Sequence, residues 1–192
     1  MKTNVWKIAL LSTSLLLIAP VICADNWQPI DRYQVKDGLV KDVKAGLMWM
    51  RCSVGQKWDG SRCQGEANRY TWEKVMQTPT HFSFAGYKDW RVPSHNELKS
   101  LVNCSSGQVN RLDKWHNQCG GDYASPTISQ TAFPQTPDSW FWSSSLPMED
   151  WFGAFPFTYF GHYAWIVNFN NGLDITSHRD DSGHLRLVRT GK

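Results

Sequence analysis

Residues 86–98 read Gly86 Tyr87 Lys88 Asp89 Trp90 Arg91 Val92 Pro93 Ser94 His95 Asn96 Glu97 Leu98, and this stretch sets the start of a helix more firmly than any other in the chain. Ser94 and Glu97 stand three apart in the order of a capping box. The serine hydroxyl accepts from the backbone N–H three residues on, and the glutamate carboxylate reaches back to the serine N–H. Leu98, Leu101 and Val102 then recur at helical spacing and give the helix one apolar stripe. Just upstream, Trp90 is expected to fill the core, with Asp89 and Arg91 satisfying loop backbone beside the helix entrance.

Outward from this helix the chain is punctuated into brief apolar runs. Tyr33 to Val35, the turn Asp37 Gly38, Leu39 to Val43 and Leu47 to Met50 read as short strands of a meander. Thr71 is placed to cap a second small helix whose apolar face is Trp72, Val75 and Met76, and Pro79 ends it. Residues 105–137 are rich in Gly, Ser, Asn, Gln and Pro without periodicity, so an ordered, surface-running connection is expected there. Strand signals return at Ser139 to Ser143, Tyr163 to Phe169, Leu173 to Thr176 and Leu185 to Val188, with Asn170 Asn171 Gly172 as a hairpin turn. Trp49, Trp142 and Trp165 lie inside these runs and read as core. No internal repeat or linker interrupts the pattern, which predicts one α+β domain of short antiparallel strands, two small helices and long loops.

The first 24 residues look like a secretory signal peptide, with Lys2 and Lys7 ahead of an apolar run from Ile8 to Ile22 broken by Ser12, Thr13, Ser14 and Pro20. Cleavage near Ala24 and Asp25 would leave residues 25–192 as the domain, with no transmembrane segment. The formal charge of +3 would fall to about +1, because the leader holds two lysines and no acid, so charge offers no case for nucleic acid. Cys52, Cys63, Cys104 and Cys119 remain, an even number suited to an oxidising compartment. Three pairings are possible. Each close pair brackets a polar, glycine-containing loop, so Cys52 with Cys63 and Cys104 with Cys119 is expected, at about 2–4 kcal/mol of stabilisation each. Neither spacing suits a zinc knuckle.

Several blocks together resemble the Lcl C-terminal domain family of bacteria. They are the Gly86 to Ser94 segment with Glu97 and Leu98, Gly46 Leu47 Met48 Trp49, Trp142 Ser143 Ser144 Ser145, Ala164 to Gly172, and Arg186 Leu187 Val188 Arg189. They run in order over nearly the whole domain. The resemblance implies a C-type-lectin-like fold, in which terminal strands pair and a loop-rich region carries the ligand surface. Relatives of that fold include adhesins, receptor-binding proteins and formylglycine-generating enzymes, so it implies a fold more firmly than a ligand.

Two regions are candidates for ligand contact. Residues 146–163 crowd Trp151, Phe152, Phe155, Phe157, Tyr159, Phe160, His162 and Tyr163 among Gly and Pro. Aromatics on such a loop either stack on a ligand, cover the core or form a subunit contact. The second region is the polar set on and after the late hairpin, with Asn170, Asn171, Asp174 and Arg179 as its leading members and solvated turns as its plain alternative. The expected ligand surface is therefore Trp151, Phe155, Tyr159, His162, Asn170, Asn171, Asp174 and Arg179.

No nucleophile with its base, carboxylate pair or histidine motif is spaced for catalysis, so no catalytic residue, metal ligand or cofactor is expected. The calcium motifs of C-type lectins are absent too, which leaves calcium unassigned. The preferred reading is an exported, periplasmic or extracellular, non-enzymatic module for a glycan or surface protein. A structural subunit of a surface assembly, with oligomer formation, is the alternative, and an enzyme resembling the formylglycine-generating type the third. Export predicts a processed N-terminus near Asp25. The residues before Cys23 lack the small side chain expected next to a lipidated cysteine, so intact mass should show no diacylglycerol on Cys23, and a lipidated Cys23 would refute this.

Overall fold

The computed structural model describes residues 27–114, 116–147 and 161–191. Its first layer is a five-stranded sheet in the order β1 (Gln28–Ile30), β2 (Tyr33–Lys36), β3 (Leu39–Asp42), β4 (Leu47–Met50) and β12 (Val188–Thr190). All neighbours are antiparallel, and β12 closes the sheet by pairing Val188 with Trp49. Alternation along the strands gives the sheet two buried faces. Tyr33, Val35, Val40, Leu47, Trp49 and Val188 look one way, and Leu39, Met48 and Met50 look the other. On its far edge Val188 exchanges backbone hydrogen bonds with Arg91 at 2.8 and 3.0 Å, so the Gly86–Leu98 stretch is tied to the last strand.

A three-stranded sheet, in the order β11 (Asp174–His178), β10 (Tyr163–Asn168) and β9 (Trp140–Trp142), forms the other main layer. The expected turn joins β10 to β11, with Gly172 at φ +77°, a conformation glycine adopts without strain. Helix α1 (Trp72–Gln77) begins at Thr71, but the threonine side chain makes no capping bond. The N–H of its first residue, Trp72, donates to the Arg179 carbonyl at 2.9 Å. Helix α2 (His95–Lys99) has the full capping box of Ser94 and Glu97 and packs on β10. Trp49, Trp90, Trp142 and Trp165 are all buried, as expected.

Both expected disulfides are present, Cys52 with Cys63 and Cys104 with Cys119. The connection over residues 105–137 departs from its expected irregularity. Its first part is a hairpin of β7 (Gln108–Arg111), exposed along its whole length and so without alternation, and β8 (Asn117–Gly120), whose end is buried at Cys119 against the β10–β11 turn. Its second part enters the core, where Ile128, Ala132 and Phe133 are buried and Phe133 meets Tyr33 edge to face. A second small ribbon, β5 (Lys57–Trp58) with β6 (Cys63–Gln64), lies within the first disulfide loop.

The last expected strand, Leu185 to Val188, also differs, since regular pairing starts only at Val188. Residues 185–187 remain extended, and the Leu187 and Leu185 carbonyls accept from Met50 and Val54. Between them the Arg186 side chain turns inward and is fully buried. Its guanidinium donates to the carbonyls of Met50 (2.9 Å) and Arg51 (2.5 Å), and to the hydroxyls of Ser53 (3.2 Å) and Thr136 (2.6 Å), beneath the Phe133 ring. It therefore occupies acceptors that a regular ladder would have used. Burial pushes its pKa down to about 9, so it is still a cation at neutral pH. Arg186→Lys keeps the charge and removes the planar fork, leaving buried acceptors without donors. It is expected to lower unfolding free energy by about 2–3 kcal/mol in urea denaturation. A midpoint unchanged from the parent protein would contradict this role.

Candidate functional site

Helix α2 places His95 and Lys99 four residues apart, hence on one face, and that face looks onto the start of β11. There Asp174 is buried, 4 % exposed, between them. Its Oδ2 lies 2.6 Å from His95 Nε2, and its Oδ1 accepts a hydrogen bond from Lys99 Nζ. The lysine also donates to the carbonyls of Gly172 (2.6 Å) and Asn117 (3.2 Å). One ammonium thus ties α2, the β7–β8 hairpin and the β10–β11 turn to a single point. Burial alone would raise the Asp174 pKa, but the hydrogen bonds and charges of His95 and Lys99 outweigh it and hold the carboxyl below its ordinary value.

Trp165 on β10 is covered from the same side. The His95 ring stacks on it at 4.3 Å between centroids, and His116 sits tilted at 6.3 Å, with its own Nδ1 2.7 Å from Asp113. Farther along the hairpin the His162 and His178 rings lie parallel at 5.8 Å, and Tyr163 meets His178 edge to face at 5.5 Å.

The site residues expected from the sequence fall at the two ends of this hairpin. Asn170, Asn171 and Asp174 are at its turn. Asn170 is exposed, with its N–H on Asn168 Oδ1 at 2.9 Å, and Asn171 bridges Gln118 Oε1 and the Leu173 N–H. His162 and Arg179 are at the open end, about 17 Å away along β11 at the usual rise of a strand. Arg179 lies over the Trp72 ring at 3.9 Å, pairs with Glu73 at 3.0 Å and donates to the Gly161 carbonyl at 2.5 Å. Trp151, Phe155 and Tyr159 lie outside the described residues. Sequence reading passed over His95, Lys99 and His116. The i, i+4 spacing of His95 and Lys99 directly after a capping serine was the one available signal.

A family model, the Lcl C-terminal domain, matches residues 38–189, the span that contains the sheet closure, both disulfides and this hairpin. The chain belongs to the Lcl C-terminal domain family. No curated protein matches it significantly. In this Lcl domain Arg91 and Asp89 of the signature segment form ion pairs rather than serving loop backbone alone. Arg91 makes a two-pronged pair with Glu97 at 2.6 and 2.7 Å, and Asp89 one with Arg189 at 2.7 and 3.0 Å. The Arg91 hydrogen bonds hold the Glu97 carboxyl below its ordinary pKa against the effect of burial. Among the described residues no helix is long and apolar enough to cross a membrane, and no three of His, Cys, Asp and Glu are grouped to hold a metal ion.

The Asp174 cluster predicts a pH dependence of stability. A carboxyl whose folded pKa is depressed contributes fully above its unfolded value, about 4, and loses that contribution as pH falls through the lower folded value. Asp174→Asn leaves the half-buried Lys99 without its counter-charge and is expected to lower stability by about 2 kcal/mol at pH 7. Its unfolding midpoint should also fall less than that of the parent between pH 5 and pH 2. Parallel pH profiles for the two proteins would refute the assignment.

Proposed function

We propose that this Lcl domain is an exported, non-enzymatic binding module of C-type-lectin-like fold, and that it takes a glycan or another surface polymer along the β10–β11 hairpin. The observation that carries the reading is the way the hairpin's polar and aromatic groups are held. The Asn170–Asn171 amides stand at its turn and the Tyr163, His162 and His178 rings at its open end. Lys99 and Asp174 anchor the backbone at the turn. Saccharides bind where fixed amide and imidazole groups meet their hydroxyls and an aromatic edge covers their apolar face, and preorganisation keeps the entropic cost of binding low. Two further features support the C-type-lectin-like arrangement. The first and last strands share a sheet, and a loop-rich, disulfide-bonded region carries the second sheet. Both cysteine pairs within the domain are engaged in disulfides, which supports a binding role over copper chemistry on a thiol pair.

The β7–β8 hairpin favours a second reading, a subunit of a surface assembly, because Val109 (59 %) and Leu112 (53 %) are exposed on it. A glycan array combined with native mass measurement separates the two. A monomer with a glycan signal is the expected result, whereas a stable oligomer with no signal would favour the assembly. On the glycan that scores, His178→Ala combined with Asn170→Ala should weaken binding by about thirtyfold or more with little change in thermal stability. Full retention of affinity would remove the hairpin from the site.

A further inference from the structure

His184 stands where three stretches of chain are sewn together. Its backbone lies beside β9, with its N–H donating to the Trp140 carbonyl at 2.8 Å and its carbonyl accepting from the Trp142 N–H at 3.0 Å. One residue earlier, Gly183 exchanges backbone hydrogen bonds with Tyr70 at 2.9 and 3.0 Å, and the Ser182 carbonyl accepts from Arg69 Nη2 at 2.7 Å. The Trp142 indole N–H donates to the Tyr70 carbonyl at 3.0 Å. Gly183 permits this closeness, since a Cβ there would come within 2.8 Å of the Trp142 ring. Residues 68–70, which lead into α1, are thus held against residues 182–184 and β9 along one seam. Of the histidines among the described residues only His184 is buried, at 7 % exposure. Its ring closes the seam, with Nδ1 3.0 Å from the Asn68 carbonyl and the Phe141 ring 5.2 Å away.

A carbonyl only accepts, so Nδ1 carries the hydrogen and Nε2 holds the lone pair of the neutral ring. A proton taken up at Nε2 puts a full charge into the seam. Burial opposes that charge most strongly and the Arg69 cation adds to it, while the Asn68 and Ala67 carbonyls favour the charged ring without outweighing them. The pKa is therefore held below the ordinary histidine value. Among the described residues no carboxylate pairs with this ring, in contrast to His95, His116 and His178. Tyr70, whose hydroxyl accepts from Asn68 Nδ2 at 2.7 Å, stays neutral in acid, and β9 brings only Trp140, Phe141 and Trp142 against the histidine. Once the seam opens, the ring regains water and a pKa of about 6.5. Because the folded value is the lower one, the ring stabilises the closed seam fully above about pH 6.5 and loses that contribution as pH falls through the folded value.

We propose that His184 is an acid-sensitive latch, which keeps residues 68–70 and the entry to α1 docked on β9 at neutral pH and lets them detach when its ring takes up a proton. The seam shares no residue with the β10–β11 hairpin, so the latch stands independently of the reading given for that hairpin.

Hydrogen exchange of the purified protein, followed by NMR and divided by the intrinsic rate at each pH, tests it. The opening constants of the Tyr70 and Gly183 amides should rise about fivefold or more from pH 7.5 to pH 5. At pH 5 they should also exceed that of the Val188 amide, which reports unfolding of the five-stranded sheet, by about tenfold or more. His184→Asn sets an amide N–H in the place of Nδ1 and takes up no proton in this range, so the pH response of Tyr70 and Gly183 should vanish. The His184 ring resonances of the parent protein should titrate below the ordinary histidine value, a readout that does not depend on the variant folding. A ring that titrates at about 6.5 or above, seam amides indifferent to pH, seam and Val188 amides opening only together, or a variant that keeps the parent's response would each overturn the latch.

Discussion

A guanidinium cut off from water must find acceptors for its N–H groups, and in this domain Arg186 finds them on two stretches of chain far apart in sequence. The carbonyls of Met50 and Arg51 end β4, the Ser53 hydroxyl opens the first disulfide loop, and the Thr136 hydroxyl closes the segment that carries Phe133 into the core. None of these acceptors is charged, so the cation is stabilised by fixed dipoles and by the Phe133 face rather than by an ion pair. The planar fork suits this task better than an ammonium, because its N–H groups leave in set directions toward partners that are themselves immobile. The Arg186 Nε finds no partner among the described residues, which makes the arrangement sensitive to any further loss.

From this anchor the two sheets acquire their relation. Arg186 fixes where the chain enters β12, and β12 in turn holds Arg91 of the signature segment on its free edge. The signature segment then delivers helix α2, whose Arg91–Glu97 pair and capping serine fix the start of the helix. The other end of that short helix carries Lys99, whose three acceptors belong to β8, the hairpin turn and β11. Two cations about ninety residues apart in sequence therefore govern the joint between the layers: Arg186, buried with no counter-ion among the described residues, and Lys99, matched by Asp174.

The parts of this arrangement that were legible in the sequence are those with local causes. Ser94 and Glu97 specify a cap within four residues, Asn170 to Gly172 specify a turn, and each cysteine pair closes a short loop. Arg186 was not legible, because an arginine between Leu185 and Leu187 reads as the outward position of an alternating strand. Nothing nearby announces acceptors more than 130 residues upstream in Met50 to Ser53. Asp174 was singled out as a ligand contact, but its burial hid for the same reason. It stands where a hairpin would present a solvated carboxylate, and only its distant partners His95 and Lys99 make burial tolerable. The β7–β8 hairpin hid in the opposite way, since β7 is exposed at every residue and carries no alternation.

That hairpin is closed at its base by Cys104–Cys119, and residues 107–114 stand wholly at the surface. Its tip touches the second sheet through His116, which lies 6.3 Å from the Trp165 ring, and doubling a loop adds only about 0.6 kcal/mol of closure entropy. The covalent staple thus makes the exposed residues 107–114 the part of the domain best placed to accept a grafted peptide, so long as His116 keeps its place on Trp165.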